Sequence, residues 1–447
     1  MRKVIAIIFI VSIIQLIGCA TNPVTGKTEF MLVTESQEIS IGKEYSPKAE
    51  KEFGGVVKDR ELNNYVNEVG QKLAKASDRK NIKYHYKVVN SNVVNAFALP
   101  GGYIYITRGL LIKLNNEAQL AAVLGHETGH VAARHSAKQI SDAMGMSVLL
   151  QAGVIAVASR GSAEAGTNAK AVAMLGDLIG SMILLGYSRD AEYQADLLGA
   201  EYCYRAGYHP RAMEQVLEIL KKLDKKKASG TDEYFQSHPT TKHRIDEVDK
   251  KLQKKYKDAD DKGLTYGEES FKKRTKKFRD SMIVYEKLDK AKEETAKGNH
   301  PTALSILDEA VAAQPDNEFF YLERAKTYLA SGEHKKAEQD FLKAKQLDPE
   351  NFDALLGYGI ERYKNRDYET AENDLTSASK IISSEISCHY YLGETKLALD
   401  KMGEARKELE TVITLAKEFA KNGTSDEDTK QFAERAEKRL REARLQK

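Results

Sequence analysis

The last third of the chain repeats itself every 34 residues, and no other feature narrows the possible folds as far. Ala303, Ala337, Ala371 and Ala405 stand 34 apart, as do Leu307, Phe341, Leu375 and Leu409. Ala310, Ala344 and Ala378 keep the interval, and so do Pro315 with Pro349 and Gly359 with Gly393. A helical bundle without repeats has no reason to hold one phase at so many positions. A stacked array does, because each unit buries its apolar face only against its neighbours. The first half of the 447-residue chain lacks this period, so at least one further domain of different architecture precedes the array.

The 34-residue register resembles the tetratricopeptide repeat. That resemblance implies an α-solenoid in which small residues let two antiparallel helices pack closely and a proline ends the second. Four units fit from residue 285 to about 417, and 427–447 reads as a charged capping helix. Upstream, residues 250–297 are highly charged, including Lys272-Lys273-Arg274-Thr275-Lys276-Lys277, which is expected of a solvated helix face or linker.

Composition removes several function classes. Basic residues number 69 and acidic residues 66, and the net charge of +3 gives no overall pull toward nucleic acid. Three cysteines are too few for a disulfide scaffold, and a mean hydropathy of −0.51 excludes a polytopic membrane protein. The amino terminus is the exception. Met1-Arg2-Lys3 is followed by a nearly unbroken apolar run from Val4 to Ile17, short of the ~20 residues a bilayer span needs and typical of an export signal. The run closes in Leu16-Ile17-Gly18-Cys19, which resembles the bacterial lipobox. That resemblance implies removal of residues 1–18, lipidation of Cys19, and a lipidated tether and N-terminal segment over 19–45. Ala20, in the place where an aspartate would retain an enterobacterial lipoprotein at the inner membrane, implies the periplasmic face of the outer membrane.

The chemistry is concentrated in His126-Glu127-Thr128-Gly129-His130. On a helix, residues i and i+4 share a face, so two imidazoles converge on one ion, while Glu127 emerges about 100° round and can reach a water beside it. The capping signal Asn116-x-x-Gln119 opens that helix. A catalytic zinc takes three protein ligands and keeps one position open, so a third donor must come from elsewhere. Glu192 is the candidate; Asp190, two residues earlier, would face away on a helix. Upstream, 57–77 reads as a helix. Residues 84–89, 93–99 and 103–107 read as strands, and Pro100-Gly101-Gly102 is the turn of an antiparallel pair.

Gly125 to His130, then Ala133-Arg134-His135-Ser136, then Glu192 to Asp196, together resemble metallopeptidase family 48, a gluzincin family. The likeness runs through roughly 19–250, and one periplasmic branch of the family also carries tetratricopeptide repeats. The fold so implied is mainly α: a zinc metalloprotease domain of helices plus a small antiparallel sheet over 46–255, a charged linker helix over 256–283, and the repeats over 284–447. The resemblance implies one Zn2+ per chain held by His126, His130 and Glu192, with Glu127 as general base and Asp196 orienting a ligand histidine. Asn95-Ala96-Phe97-Ala98 is similar to the edge strand along which such enzymes hold an extended substrate, which makes Asn95 and Ala96 substrate contacts. Ser237-His238-Pro239 with Arg244 resembles the family's His-Pro segment: His238 would stabilise an oxyanion or close the zinc as a fourth ligand, and Arg244 would contact substrate. Thr128 departs from the aliphatic residue usual there. His135 and His243 are expected to be structural, and the apolar stretches 146–159 and 171–187 to be buried or cleft-covering helices.

The function so implied is a zinc-dependent endopeptidase of the bacterial cell envelope. It would act on unfolded or misassembled outer-membrane proteins, with the repeats recruiting substrate or the beta-barrel assembly machinery. The alternative is a periplasmic chaperone or scaffold whose repeats do the work over a latent zinc site.

Overall fold

A computed structural model of the chain describes residues 19–144, 186–225, 238, 242–422 and 424–445. The proposed signal segment 1–18, most of the two apolar stretches, and Ser237 and Pro239 lie outside the described residues. The chain divides into two compact units, Met1–Arg279 and Asp280–Lys447.

The first unit opens with a hairpin, β1 (Cys19–Thr21) and β2 (Thr28–Phe30), in which Cys19 is opposite Phe30. This corrects the expectation of a tether. Asn22 closes the turn by accepting from the Val24 and Thr25 amides, and its own amide donates to the Ala133 carbonyl at 3.2 Å. Met31 and Val33, just beyond, join Phe53, Phe97, Tyr105 and Ile140 in one core. A polar composition suggested a leash; side-chain hydrogen bonds of Asn22 make it a folded edge instead.

Helix α1 (Glu35–Glu52) starts from a capping box between Thr34 and Gln37, and α2 (Arg60–Ala76) from Asp59. Leu62, Val66, Val69 and Leu73 form the buried stripe of α2. Strands β3 (His85–Val89), β4 (Ala96–Leu99) and β5 (Tyr103–Thr107) make a sheet in the order β3-β5-β4. The expected antiparallel pair is β4 with β5, whereas β3 joins β5 in parallel. Gly101 and Gly102 make the reversal at φ 77° and 97°, and a Cβ on Gly101 would lie 2.6 Å from the Ile39 Cα. β4 therefore lies at one edge of the sheet.

After a short helix, α3 (Arg108–Leu111), comes α4 (Glu117–Ala132), capped by the Asn116 side chain on the Gln119 amide. The Gln119 side chain reaches back one residue further than a capping box requires, to the Asn115 N–H at 2.8 Å. Every residue of α4 is buried, which makes it the central rod of the unit. Helices α5 (Arg189–Arg205), α6 (Ala212–Lys225) and α7 (Lys242–Lys255) follow. The segment expected to be a charged linker contributes the start of α8 (Glu268–Ala296), which is not merely solvated. Phe271 and Phe278 are buried, Ser270 donates to Glu117, and Arg279 donates to the Ile112 and Leu114 carbonyls.

The second unit consists of helix pairs. Lys287 near the end of α8 donates to Glu309 of α9 (His300–Ala313), and α10 (Glu318–Ala330) pairs with α11 (His334–Leu347). Then α12 (Phe352–Lys364) pairs with α13 (Tyr368–Ile381), and α14 (Ile386–Ala398) with α15 (Met402–Asn422), before α16 (Glu427–Leu445) closes the array. The repeating alanines at 303, 337, 371 and 405 are fully buried. A Cβ on Gly359 would sit 2.9 Å from Leu375, and one on Gly393 the same distance from Leu409. Paired small and large residues at a 34-residue spacing are thus what sets the closeness of the two helices in each unit. Among the described residues no helix is long and apolar enough to cross a membrane.

Candidate metal centre

Two helices make the site, and glycine brings them together. α4 crosses α5 where Gly125 and Gly129 meet Ala195 and Gly199; a Cβ on Gly199 would lie 2.7 Å from the His126 amide nitrogen. At that separation Glu192, in the first turn of α5, reaches the face of α4 that carries His126 and His130. His126, His130, Glu192 and His238 each direct one donor atom to a common point, all within 4.8 Å of one another, and all four side chains are buried.

The outward nitrogens decide where the protons sit. His126 Nδ1 is 2.9 Å from Asp196 Oδ1, so it carries the hydrogen and leaves a lone pair at Nε2. His130 Nδ1 lies 2.9 Å from His135 Nδ1, while its Nε2 is 3.0 Å from His126 Nε2 and 3.3 Å from Glu192 Oε1. Two imidazole nitrogens facing each other across 3.0 Å beside a buried carboxylate repel unless a cation lies among them. The donors His126, His130 and Glu192 therefore fit a divalent metal, and imidazole nitrogen with carboxylate oxygen is a donor chemistry that suits zinc.

Glu127 lies beside this point with one oxygen, Oε2, buried and without a hydrogen-bond partner. Burial raises its pKa, against the pull of His238 and His126, which suits a group that must take up a proton. Glu192 is opposite in sense. Burial resists its ionisation, but His238, His130 and His126 overcome this and hold it well below the usual carboxylate range. Asp196 likewise stays ionised despite burial, through Arg244 and His126. A cavity of about 10 Å³ borders His126 and Glu127, walled by Ala96, Val123, Met213, Val216 and Leu217.

His238 enters the same site. Its Nδ1 lies 3.0 Å from Glu192 Oε1 and 3.4 Å from His126 Nε2, and its Nε2 lies 3.2 Å from the Ala96 carbonyl on the edge strand. Burial opposes charge on this ring, but Glu192 and Glu127 prevail and raise its pKa to about 9.

Two expected substrate contacts are placed otherwise. Arg244 is buried, donating from Nε and NH2 to Asp196 at 2.6 and 2.8 Å and from NH1 to Glu192 at 2.9 Å, so its guanidinium is committed within the site. Asn95 is buried, and its backbone N–H and carbonyl are both taken by Thr107. Ala96 alone of these presents a backbone group toward the metal position. Thr128 accounts for its departure from the aliphatic pattern by sharing a 2.9 Å hydrogen bond with the Tyr86 hydroxyl.

Several contributors were not evident from sequence. His135 is no bystander, since it contacts the ligand His130. Tyr187 stacks on the His130 ring with centroids 4.0 Å apart and shares a hydrogen bond with Ser136. Gly199 was the readable one: glycine inside a helix marks a close approach, and its partners Gly125 and Gly129 bracket the histidine motif.

Comparison with known proteins agrees with this geometry. Residues 60–252 match the family described as Peptidase family M48. The chain is 29% identical over 227 residues to the beta-barrel assembly-enhancing protease of Escherichia coli (strain K12), covering 50% of this chain and 46% of that protein. It is 33% identical over 175 residues to the mitochondrial metalloendopeptidase OMA1 of Arabidopsis thaliana, covering 38% and 32% respectively. The chain thus spans about half the length, or less, of the curated relatives it matches. Among solved structures, that of MamA protein aligns with a TM-score of 0.29 at 20% identity, over 36% of this chain and 89% of that one.

Proposed function

From the premise that residues 60–252 are a Peptidase family M48 domain, we propose that the chain is a zinc-dependent endopeptidase. The observation that carries this reading is the buried convergence of His126, His130 and Glu192 beside a glutamate whose inner oxygen has no partner. Bound by those three residues, zinc supplies Lewis-acid polarisation of a water and of the scissile carbonyl.

The chain's own residues do the rest. Glu127, its pKa raised by burial, accepts the water's proton and returns it to the departing amine. Asp196 accepts from His126 Nδ1 and so keeps Nε2 free to ligate, and Arg244 holds Asp196 ionised and in place. The edge strand β4 presents the Ala96 carbonyl to an extended substrate, whose backbone would pair there.

His238 occupies that lane. The hydrogen bond it makes to Ala96 is one a substrate would need, and its contact with Glu192 ties it to the ligand set. We read this as a closed state in which His238 covers the site and must withdraw, or turn toward the developing oxyanion, for cleavage.

The amino terminus and the relatives support a setting for this activity. Cys19, at the end of the lipobox-like sequence, is the lipidation site, and the protein acts on the periplasmic face of the outer membrane. Its clients are unfolded or misassembled outer-membrane proteins, and the repeats bind client or assembly machinery. The similarity to proteins named beta-barrel assembly-enhancing protease supports this choice of clients.

The test is cleavage of casein and of an unfolded outer-membrane protein by the chain lacking residues 1–18 and carrying Cys19→Ser, with bound zinc measured. Glu127→Gln should keep one zinc and lose cleavage, and His238→Ala should cleave faster than wild type. Wild-type cleavage by Glu127→Gln would refute the mechanism. One zinc with no cleavage in wild type or His238→Ala would favour a scaffold.

A further inference from the structure

Among buried groups that the mechanism leaves unused, His135 stands in direct contact with a proposed ligand. We propose that His135 is a positioning residue for the metal, and that Gln194 fixes its tautomer, the two forming a relay that holds the His130 proton on the nitrogen facing away from the ion. The inference rests on the zinc-site reading above.

The geometry sets the direction of every hydrogen bond. His135 Nε2 lies 3.0 Å from Gln194 Oε1, and an amide oxygen only accepts, so Nε2 carries the ring's hydrogen. A neutral imidazole carries one hydrogen, and His135 has committed it to Gln194. Its Nδ1 is then a lone pair, 2.9 Å from His130 Nδ1, which must donate. His130 consequently offers its own lone pair at Nε2, toward Glu192 and His126. Were Gln194 to present its NH2 group instead, the relay would run backwards, and His130 would turn an N–H toward the ion.

The backbone is bent to make this contact. On an unbroken helix, residues five apart differ by about 140° and could not touch. α4 ends at Ala132, and Arg134 adopts φ 58°, a left-handed conformation uncommon outside glycine and asparagine. That residue is pinned by its Nε on Glu38 at 2.9 Å and its NH2 on the Val33 carbonyl at 2.9 Å. The chain thereby folds back and places His135 behind His130. Backbone strain stored at one residue is here matched to a contact at the site.

The two ligand histidines are thus supported unequally. His126 is backed by a carboxylate, which strengthens an imidazole as a ligand; His130 is backed by a neutral imidazole ending on an amide. Replacing that amide by a carboxylate should strengthen the weaker ligand.

The experiment measures zinc affinity of the metal-free full chain by competition with a chelating dye. Gln194 is only partly buried, so Gln194→Glu is expected to fold, and it should tighten zinc about tenfold, while His135→Ala should weaken it about 10- to 100-fold. His135→Asn, whose amide oxygen accepts, should recover part of that loss. Long-range nitrogen–proton NMR on histidine-labelled protein should show His135 as the Nε2–H tautomer and His130 as Nδ1–H. An affinity for Gln194→Glu within twofold of wild type, or a proton on His135 Nδ1, overturns the relay while leaving the zinc site standing. A wild-type chain that takes up no zinc overturns the site reading itself.

Discussion

Arg244 offers the sharpest test of how the centre is held together. Its guanidinium makes three short hydrogen bonds to Asp196 and Glu192, and both carboxylates are sealed from solvent. In Arg244→Ala those carboxylates lose their one fixed guanidinium partner while remaining buried. Charge-assisted bonds of this kind contribute ~1.5–3 kcal/mol each, but a simple sum overstates the loss because water and shifted protons compensate. Removing one partner of a buried ion pair usually costs about 3–5 kcal/mol, which is the range expected for the metal-free protein. With zinc bound, the ion neutralises Glu192, so the penalty should fall by about half. A cycle with Asp196→Ala should show coupling of about 1–3 kcal/mol, because Asp196 no longer needs the cation once it is gone. The chain has no tryptophan, and its two units need not unfold together, so a global optical melt would mix signals. Hydrogen exchange of the α4 amides, read by mass spectrometry with and without chelator, isolates the right unit. A loss below about 1 kcal/mol in metal-free protein, or strict additivity in the cycle, would refute the claim that Arg244 supplies the compensating charge.

Other outcomes follow from the same structure. Gly199→Ala should weaken zinc binding, since the added Cβ would press within 2.7 Å of the His126 amide nitrogen and push α5 away; chelator competition reads this directly. Glu38→Gln should destabilise the first unit by about 3 kcal/mol in urea titration, because it strips charge from a carboxylate that bonds the buried guanidinium of Arg79 at 2.8 Å and that of Arg134 at 2.9 Å. Gly357→Ala in the repeats should speed hydrogen exchange of the α12 amides despite alanine's better helix propensity, because its Cβ would fall 2.5 Å from the Phe341 ring. Burial opposes charge on His389, yet Glu408 and the Ser383 carbonyl raise its pKa above the ordinary histidine value. The stability it lends is complete below the unfolded value of about 6.5 and is lost as pH rises through the raised folded value. The urea midpoint of the second unit should therefore fall as pH rises through that range, and His389→Gln should flatten the dependence.

The sequence was most informative where a pattern is local or periodic. Four spaced alanines located the repeats, and two histidines one helical turn apart located the metal face, because both follow from helix geometry alone. Asn116 and Gln119 likewise announced the start of α4. Contacts that depend on how distant segments meet were harder to read. Arg244 looked like a cleft residue because nothing in its neighbourhood shows that two buried carboxylates 48 and 52 residues upstream would claim it. His135 looked idle because its approach to His130 depends on a single left-handed residue. The parallel partnership of β3 with β5 could not be told from an antiparallel one by composition, since either satisfies the same alternation.

The hairpin at the start of the described chain bears on where the proposed protease could work. β1 begins at Cys19 itself, and three residues later Asn22 is bonded to the carbonyl of Ala133, one residue past the end of the metal-bearing helix. A lipid on Cys19 would leave no slack between bilayer and protease. The working radius of the cleft would then be set by the dimensions of the folded unit, not by a swinging cord. A protease so anchored would be confined to a thin shell above the membrane surface, and a client would have to come within that shell to be cut.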